Sequence, residues 1–110
     1  MTPYLRAMLD LAPHRAALAA FARRWQVARI ALFGSALRDD FGPASDIDLL
    51  IDFEPGTRRS LFDVVEMKRE LEALFGRSVD IATRSAVERS PNWIRRREIL
   101  STARAVYAAH

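Results

Sequence analysis

Asp46 and Asp48 stand one residue apart at the head of an apolar run, IDLLIDF, that continues to Phe53. In an extended chain alternate side chains leave the same face, so both carboxylates point one way with Cα atoms about 6.7 Å apart. Two such charges raise each other's pKa unless a cation stands between them. Oxygen donors suit Mg²⁺ or Mn²⁺, and a chain with no cysteine and only His14 and His110 offers no zinc signature. Ten residues separate Asp46 from Gly34-Ser35, which closes an earlier apolar run. At a strand-to-helix turn, a glycine followed by a serine lets backbone N–H groups and a hydroxyl approach a phosphate, and the helix N-terminus favours the negative charge. Metal-holding carboxylates beside a phosphate cradle suggest a nucleoside triphosphate. A serine-hydrolase reading of Ser35 is poorer, because the second glycine of a G-x-S-x-G elbow is missing.

The elements that must position these groups follow from pattern. Val27–Phe33 is apolar apart from Arg29 and reads as a buried strand with Gly34-Ser35 at its carboxyl end, the edge where ligands of α/β sheets bind. Ser35–Asp40 fits a short helical turn and Gly42-Pro43 a loop. A second strand runs from about Asp46 to Phe53; Ile47, Leu49 and Ile51 face the core, while Leu50 and Asp52 share the carboxylate face. Asp52 lies about 13 Å beyond Asp48 and reads as a solvated strand end. After a turn at Glu54-Pro55-Gly56, Ser60 caps a helix with Asp63 in its first turn and Gly76 as its stop. Leu61, Val64, Val65, Leu71, Leu74 and Phe75 are expected to form its buried stripe, with Lys68 at the edge. Ser78–Ala82 reads as a further strand, with Asp80 on the face opposite Val79 and Ile81.

The Gly-Ser, ten residues, Asp-x-Asp pattern resembles the nucleotidyltransferase superfamily of DNA polymerase beta-like enzymes. The short chain is similar to its minimal form, the MNT domains encoded beside HEPN-domain ribonucleases as toxin–antitoxin pairs. The likeness covers roughly Val27–Ala82. It implies a nucleotidyltransferase fold, an α/β domain with a small mixed sheet flanked by helices. It implies ATP as substrate and Mg²⁺ as cofactor, two ions with Mn²⁺ able to substitute, held by Asp46, Asp48 and Asp80. Asp80 matches the family's third acidic residue, which helps deprotonate or orient the attacking hydroxyl. Gly34, Ser35 and Arg38 match nucleotide-binding positions. Many relatives carry glycine after the matching arginine, whereas Asp39 and Asp40 follow here, adding negative charge that opposes a triphosphate. The implied activity is AMP transfer to a tyrosine of a HEPN toxin, silencing it. Two other readings use the same residues: an antitoxin that works by binding alone, and a nucleotide-binding regulatory module.

The flanks are read from pattern again. Thr2-Pro3 has the residues of a helix start, Pro13 marks a break, and Leu18, Phe21, Ala22 and Trp25 make a core-facing stripe with Arg15, Arg23 and Arg24 off it. Beyond Thr83, Ser90-Pro91 opens another helix through Leu100. Its Arg95-Arg96-Arg97 triplet is expected to be solvated, since successive helical residues point apart. Arg104–Ala108 alternates weakly, as an edge strand does. At 110 residues the chain is read as one domain over 1–110 with a core of about 13–82. Its net charge of +3 is too small an excess to argue for direct nucleic-acid binding. No charge-free run approaches the ~18 residues of a membrane span, and the absence of cysteine fits a reducing cytoplasm, the expected location. A small domain leaves faces for pairing, so a homo-oligomer and a hetero-oligomer with the partner are both open.

Overall fold

The computed structural model describes residues 12–34 and 46–109. The expected helix start at Thr2-Pro3, the turn through Ser35 and Arg38 to Asp40, and the Gly42-Pro43 loop lie outside the described residues. A 3-10 turn at Ala12–His14 precedes helix α1, Arg15–Trp25. Strand β1 is Val27–Phe33 and strand β2 is Ile47–Phe53. Helix α2, Leu61–Phe75, leads to strand β3, Val79–Thr83, and a short helix α3, Arg84–Glu88. Helix α4, Trp93–Thr102, and strand β4, Arg104–Ala108, follow. No helix among the described residues is long and apolar enough to cross a membrane.

The strands form one mixed four-stranded sheet in the order β3-β2-β1-β4. β1 lies antiparallel to both β2 and β4, while β2 and β3 are parallel. Parallel neighbours need a crossover, and α2 supplies it. Both faces of the sheet are covered. On one, Ile30, Leu32, Ile47, Leu49, Ile51 and Val79 pack with Leu18, Phe21 and Ala22 of α1 and Met67 and Leu71 of α2. On the other, Ala31, Phe33 and Leu50 pack with Val87 of α3 and Ile99 of α4. The alternation along β2 therefore divides two cores: Ile47, Leu49 and Ile51 enter the first, and Leu50, on the carboxylate face, enters the second. Asp52 is half-buried rather than a simple solvated end, and shares a groove with Arg29 and Arg84.

α2 is delimited as its sequence requires. Ser60 and Asp63 form a reciprocal capping box, with Asp63 N–H donating to Ser60 Oγ at 3.1 Å and Ser60 N–H to Asp63 Oδ2 at 3.2 Å. Gly76 ends the helix at φ +68°, the left-handed conformation glycine adopts without strain. The buried stripe differs from expectation. Met67 and Leu71 are fully buried, with Leu74 and Phe75 packed beside them, whereas Leu61 is 79% exposed, Phe62 85% and Val65 41%. The i, i+3, i+4 progression that meets the sheet passes through 64, 67, 71, 74 and 75, which turns Leu61 and Val65 to the side.

At its far end α2 also grips the next strand. Glu72 Oε2 accepts the Val79 N–H at 3.0 Å and Lys68 Nζ at 3.0 Å. The Val79 N–H bond, then the Lys68 bond and charge, hold the Glu72 carboxyl below its ordinary value of 4.5.

Two outcomes are predicted. Leu71→Ala costs about 2–5 kcal/mol of stability while Leu61→Ala on the same helix costs under about 0.5, as denaturant unfolding will measure. A lowered native pKa stabilises the fold above the unfolded value and ceases to do so as pH falls through the native one. Wild type is therefore more stable than Glu72→Gln above pH 4.5, and the difference closes on further acidification. Equal stability of the two proteins at neutral pH would contradict this.

Candidate active site

The register of the sheet decides which side chains meet. Asp48 is paired with Asp80 on parallel β3 and with Phe33 on antiparallel β1, so Asp48 stands between Asp80 and the end of the strand that runs into Gly34. Paired residues of neighbouring strands project from the same face. Asp48 and Asp80 are therefore side by side on the face that carries Leu50 and Ala82 further along, the face covered by α3 and α4. Asp48 is half-buried and Asp80 exposed. Asp46 is exposed and precedes β2 by one residue, so the strand begins at Ile47, whose N–H donates to Ser78 C=O at 2.9 Å.

Gly34 follows β1 directly with φ +65°. A Cβ there would run into the Asp48 carboxylate and approach its Cγ to 3.3 Å. Two independent features disfavour a side chain here: the left-handed backbone and the carboxylate packed against it. The arrangement brings a backbone turn into contact with an acidic side chain, which suits a ligand held by both. Ser35 and Arg38, the other expected nucleotide contacts, lie outside the described residues.

Among the described residues no group of three Asp, Glu or His side chains stands close enough to hold a metal ion by protein ligands alone. Mg²⁺ needs no such group, because it keeps waters and takes one or two carboxylates together with substrate phosphate oxygens. The adjacent carboxylates of Asp48 and Asp80 are hard oxygen donors of the fitting kind.

A cleft of about 350 Å³ opens above Asp48 and Gly34. Its far wall is α4, whose Arg95, Glu98, Ile99 and Thr102 line it at i, i+3, i+4 and i+7. Ile99 is 5% exposed and belongs to the second core, so it fixes the face that α4 presents. Asn92 caps the helix, its Oδ1 accepting the Arg95 N–H at 3.1 Å. The three consecutive arginines have three fates. Arg95 is exposed and lines the cleft, Arg96 donates to Ser90 C=O at 2.8 Å, and Arg97 is exposed away from the cleft lining.

The sequence reading missed Arg95 and Glu98. Their signal was present in the spacing from Ile99 but needed a second apolar face of the sheet for that residue to enter. Glu72 was missed as well: nothing in sequence shows that a helix-surface carboxylate reaches a strand N–H seven residues later.

Residues 14–106 match the nucleotidyltransferase domain family. A Methanocaldococcus jannaschii protein, a protein adenylyltransferase by name, is 41% identical over 61 residues, covering 56% of this chain and 63% of that protein. The chain thus spans a little under two thirds of the length of such curated relatives. A solved structure of a minimal nucleotidyltransferase superposes with a TM-score of 0.64 at 33% identity, covering 88% of this chain and 91% of the other. A toxin–antitoxin crystal structure with AMP-PNP shares the fold, with a TM-score of 0.66 at 14% identity over 87% of this chain and 74% of that one. The Gly34 turn, the Asp-x-Asp strand and its parallel acidic neighbour are thus set in a known framework: the chain belongs to the nucleotidyltransferase domain family.

Proposed function

We propose that this protein transfers AMP from ATP to a hydroxyl of a protein partner, a tyrosine of a HEPN-domain ribonuclease toxin, and acts in the cytoplasm as that toxin's antitoxin. The observation that carries the reading is the register of Asp48 with Asp80 beside the glycine turn at the end of β1. The names of the related adenylyltransferase and of the toxin–antitoxin structure with AMP-PNP support the acceptor class and the nucleotide.

Asp46, Asp48 and Asp80 would share Mg²⁺ or Mn²⁺, two ions in the full site, with no one ion held by all three carboxylates. When bound, such ions neutralise phosphate charge and favour the ionised acceptor. The chain's own residues do the rest. Gly34, with Ser35 and Arg38 that follow it in sequence, would hold the phosphates. Asp80, exposed on the outer strand, orients the acceptor hydroxyl and takes its proton. The hydroxyl oxygen then bonds to the α-phosphorus as the bond to the bridging oxygen of pyrophosphate breaks, and pyrophosphate leaves with that electron pair. Little covalent work falls to the protein, so the rate enhancement comes from positioning and charge.

Incubation with α-labelled ATP, Mg²⁺ and the protein encoded next door is predicted to label that partner. Asp46→Asn/Asp48→Asn and Asp80→Asn are each expected to lose transfer by about 100-fold or more. A tight complex formed equally by wild type and variants, with no label in either, would replace catalysis by inhibition through binding. Gly34→Ala is predicted to destabilise the fold by about 1–3 kcal/mol, measurable by denaturant unfolding, because it combines a left-handed backbone with a clash.

A further inference from the structure

Across the sheet the candidate groups fall in a line: Asp80 on β3, Asp48 on β2, Gly34 at the end of β1. The 350 Å³ cleft covers one half of that line. It takes in Asp48, Gly34 and Arg95 but not Asp80. An in-line displacement has the attacking and leaving oxygens on opposite sides of the phosphorus. If Asp80 serves the attacking hydroxyl, the leaving group departs toward β1 and α4.

Among the described residues, Arg95 is the cation that lines the cleft on that side. Among the described residues other arginines are paired with carboxylates: Arg24 with Glu70, Arg69 with Glu66, and Arg84 with Glu88. Arg59 is engaged too, donating to Trp25 C=O at 2.8 Å with its guanidinium 5.2 Å from the Trp25 ring. The guanidinium of Arg95 forms no hydrogen bond or ion pair among the described residues, although Glu98 stands one turn along the same stripe. A guanidinium fork matches phosphate oxygens in pairs and never loses its charge. Ile99, buried one turn away, keeps Arg95 on the cleft wall.

We infer that Arg95 binds the β- and γ-phosphates of the nucleotide, stabilising the pyrophosphate as it leaves, and that acceptor and leaving group therefore approach and depart over different strands. The inference rests on the transferase reading for its direction, but it makes a claim about nucleotide binding that needs no acceptor. Arg95 distinguishes ATP from AMP, because only ATP carries the phosphates it contacts. Glu98, in the same cleft, opposes those phosphates by its charge.

The test is calorimetric titration of Mg²⁺-ATP and of AMP into wild type, Arg95→Ala, Arg95→Lys, Glu98→Gln and Arg97→Ala, each checked for folding by circular dichroism. A hydrogen-bonded charge of this kind is worth about 1.5–3 kcal/mol, so Arg95→Ala is expected to weaken ATP at least about 10-fold. AMP affinity should stay within about twofold. Arg95→Lys retains part of the ATP affinity, and carries the test alone should the alanine variant not fold. Glu98→Gln tightens ATP, and Arg97→Ala matches wild type. Unchanged ATP affinity in the Arg95 variants, or equal weakening of ATP and AMP, would overturn the assignment. Wild type that shows this pattern yet labels no partner removes the transferase reading and leaves Arg95 in place. Wild type that binds no ATP overturns both.

Discussion

The register of β2 is the constraint on which everything else depends. Because side chains alternate along a strand, burying Ile47, Leu49 and Ile51 under α1 and α2 sends Asp48 and Leu50 to the opposite face. A slip of one residue would drive Asp48 into the first core and turn the isoleucines onto the cleft face. The same alternation then imposes a second condition. Leu50 needs cover and Asp48 needs access, though only one residue lies between them. α3 and α4 meet both needs by packing Val87 and Ile99 over Leu50 and leaving a cleft above Asp48.

The phosphate and carboxylate sides of the site are held by different contacts. On the β1 side, the absence of a side chain at Gly34 lets the turn pack against Asp48. On the β3 side, Glu72 accepts the Val79 N–H at the start of the strand, one residue before Asp80. The crossover helix thus connects β2 to β3 and also anchors the strand it delivers. Further away, Arg59 joins the approach to α2 to the end of α1 through Trp25 C=O and the Gln26 side chain. Gln26 itself caps α1 in the left-handed conformation, so this corner gains contacts where its backbone is least relaxed.

Most of the framework was legible because its signals are local. Val27–Phe33 was bounded by Gly34, the Ser60 and Gly76 caps delimited α2, and the alternation in Arg104–Ala108 marked β4. What could not be read depends on partners distant in the chain. Leu61 and Val65 have the composition of core residues, and only the position of the sheet shows that they miss it. Arg95, Arg96 and Arg97 are identical in type and adjacent in sequence. Their separate surroundings arise from Ile99 entering a second core that no periodicity within α4 announces. The residues of the acidic strand carry their chemistry in the motif itself, whereas those of the cleft wall acquire it from the fold.

The parallel pairing of β2 with β3 has a kinetic consequence. β1 and β4 neighbour the centre of the sheet through antiparallel ladders, but Asp80 can reach Asp48 only after the whole crossover has closed. An outer strand with one neighbour is among the first to open. The acidic pair is accordingly released early. Transient detachment of β3, with the rest of the sheet intact, would separate the two aspartates without unfolding the domain, and faster amide exchange at Val79 and Ile81 than at Leu49 and Ile51 would be its trace. The chemistry proposed for this chain would then switch off by a local opening, well below the energy needed to unfold the core.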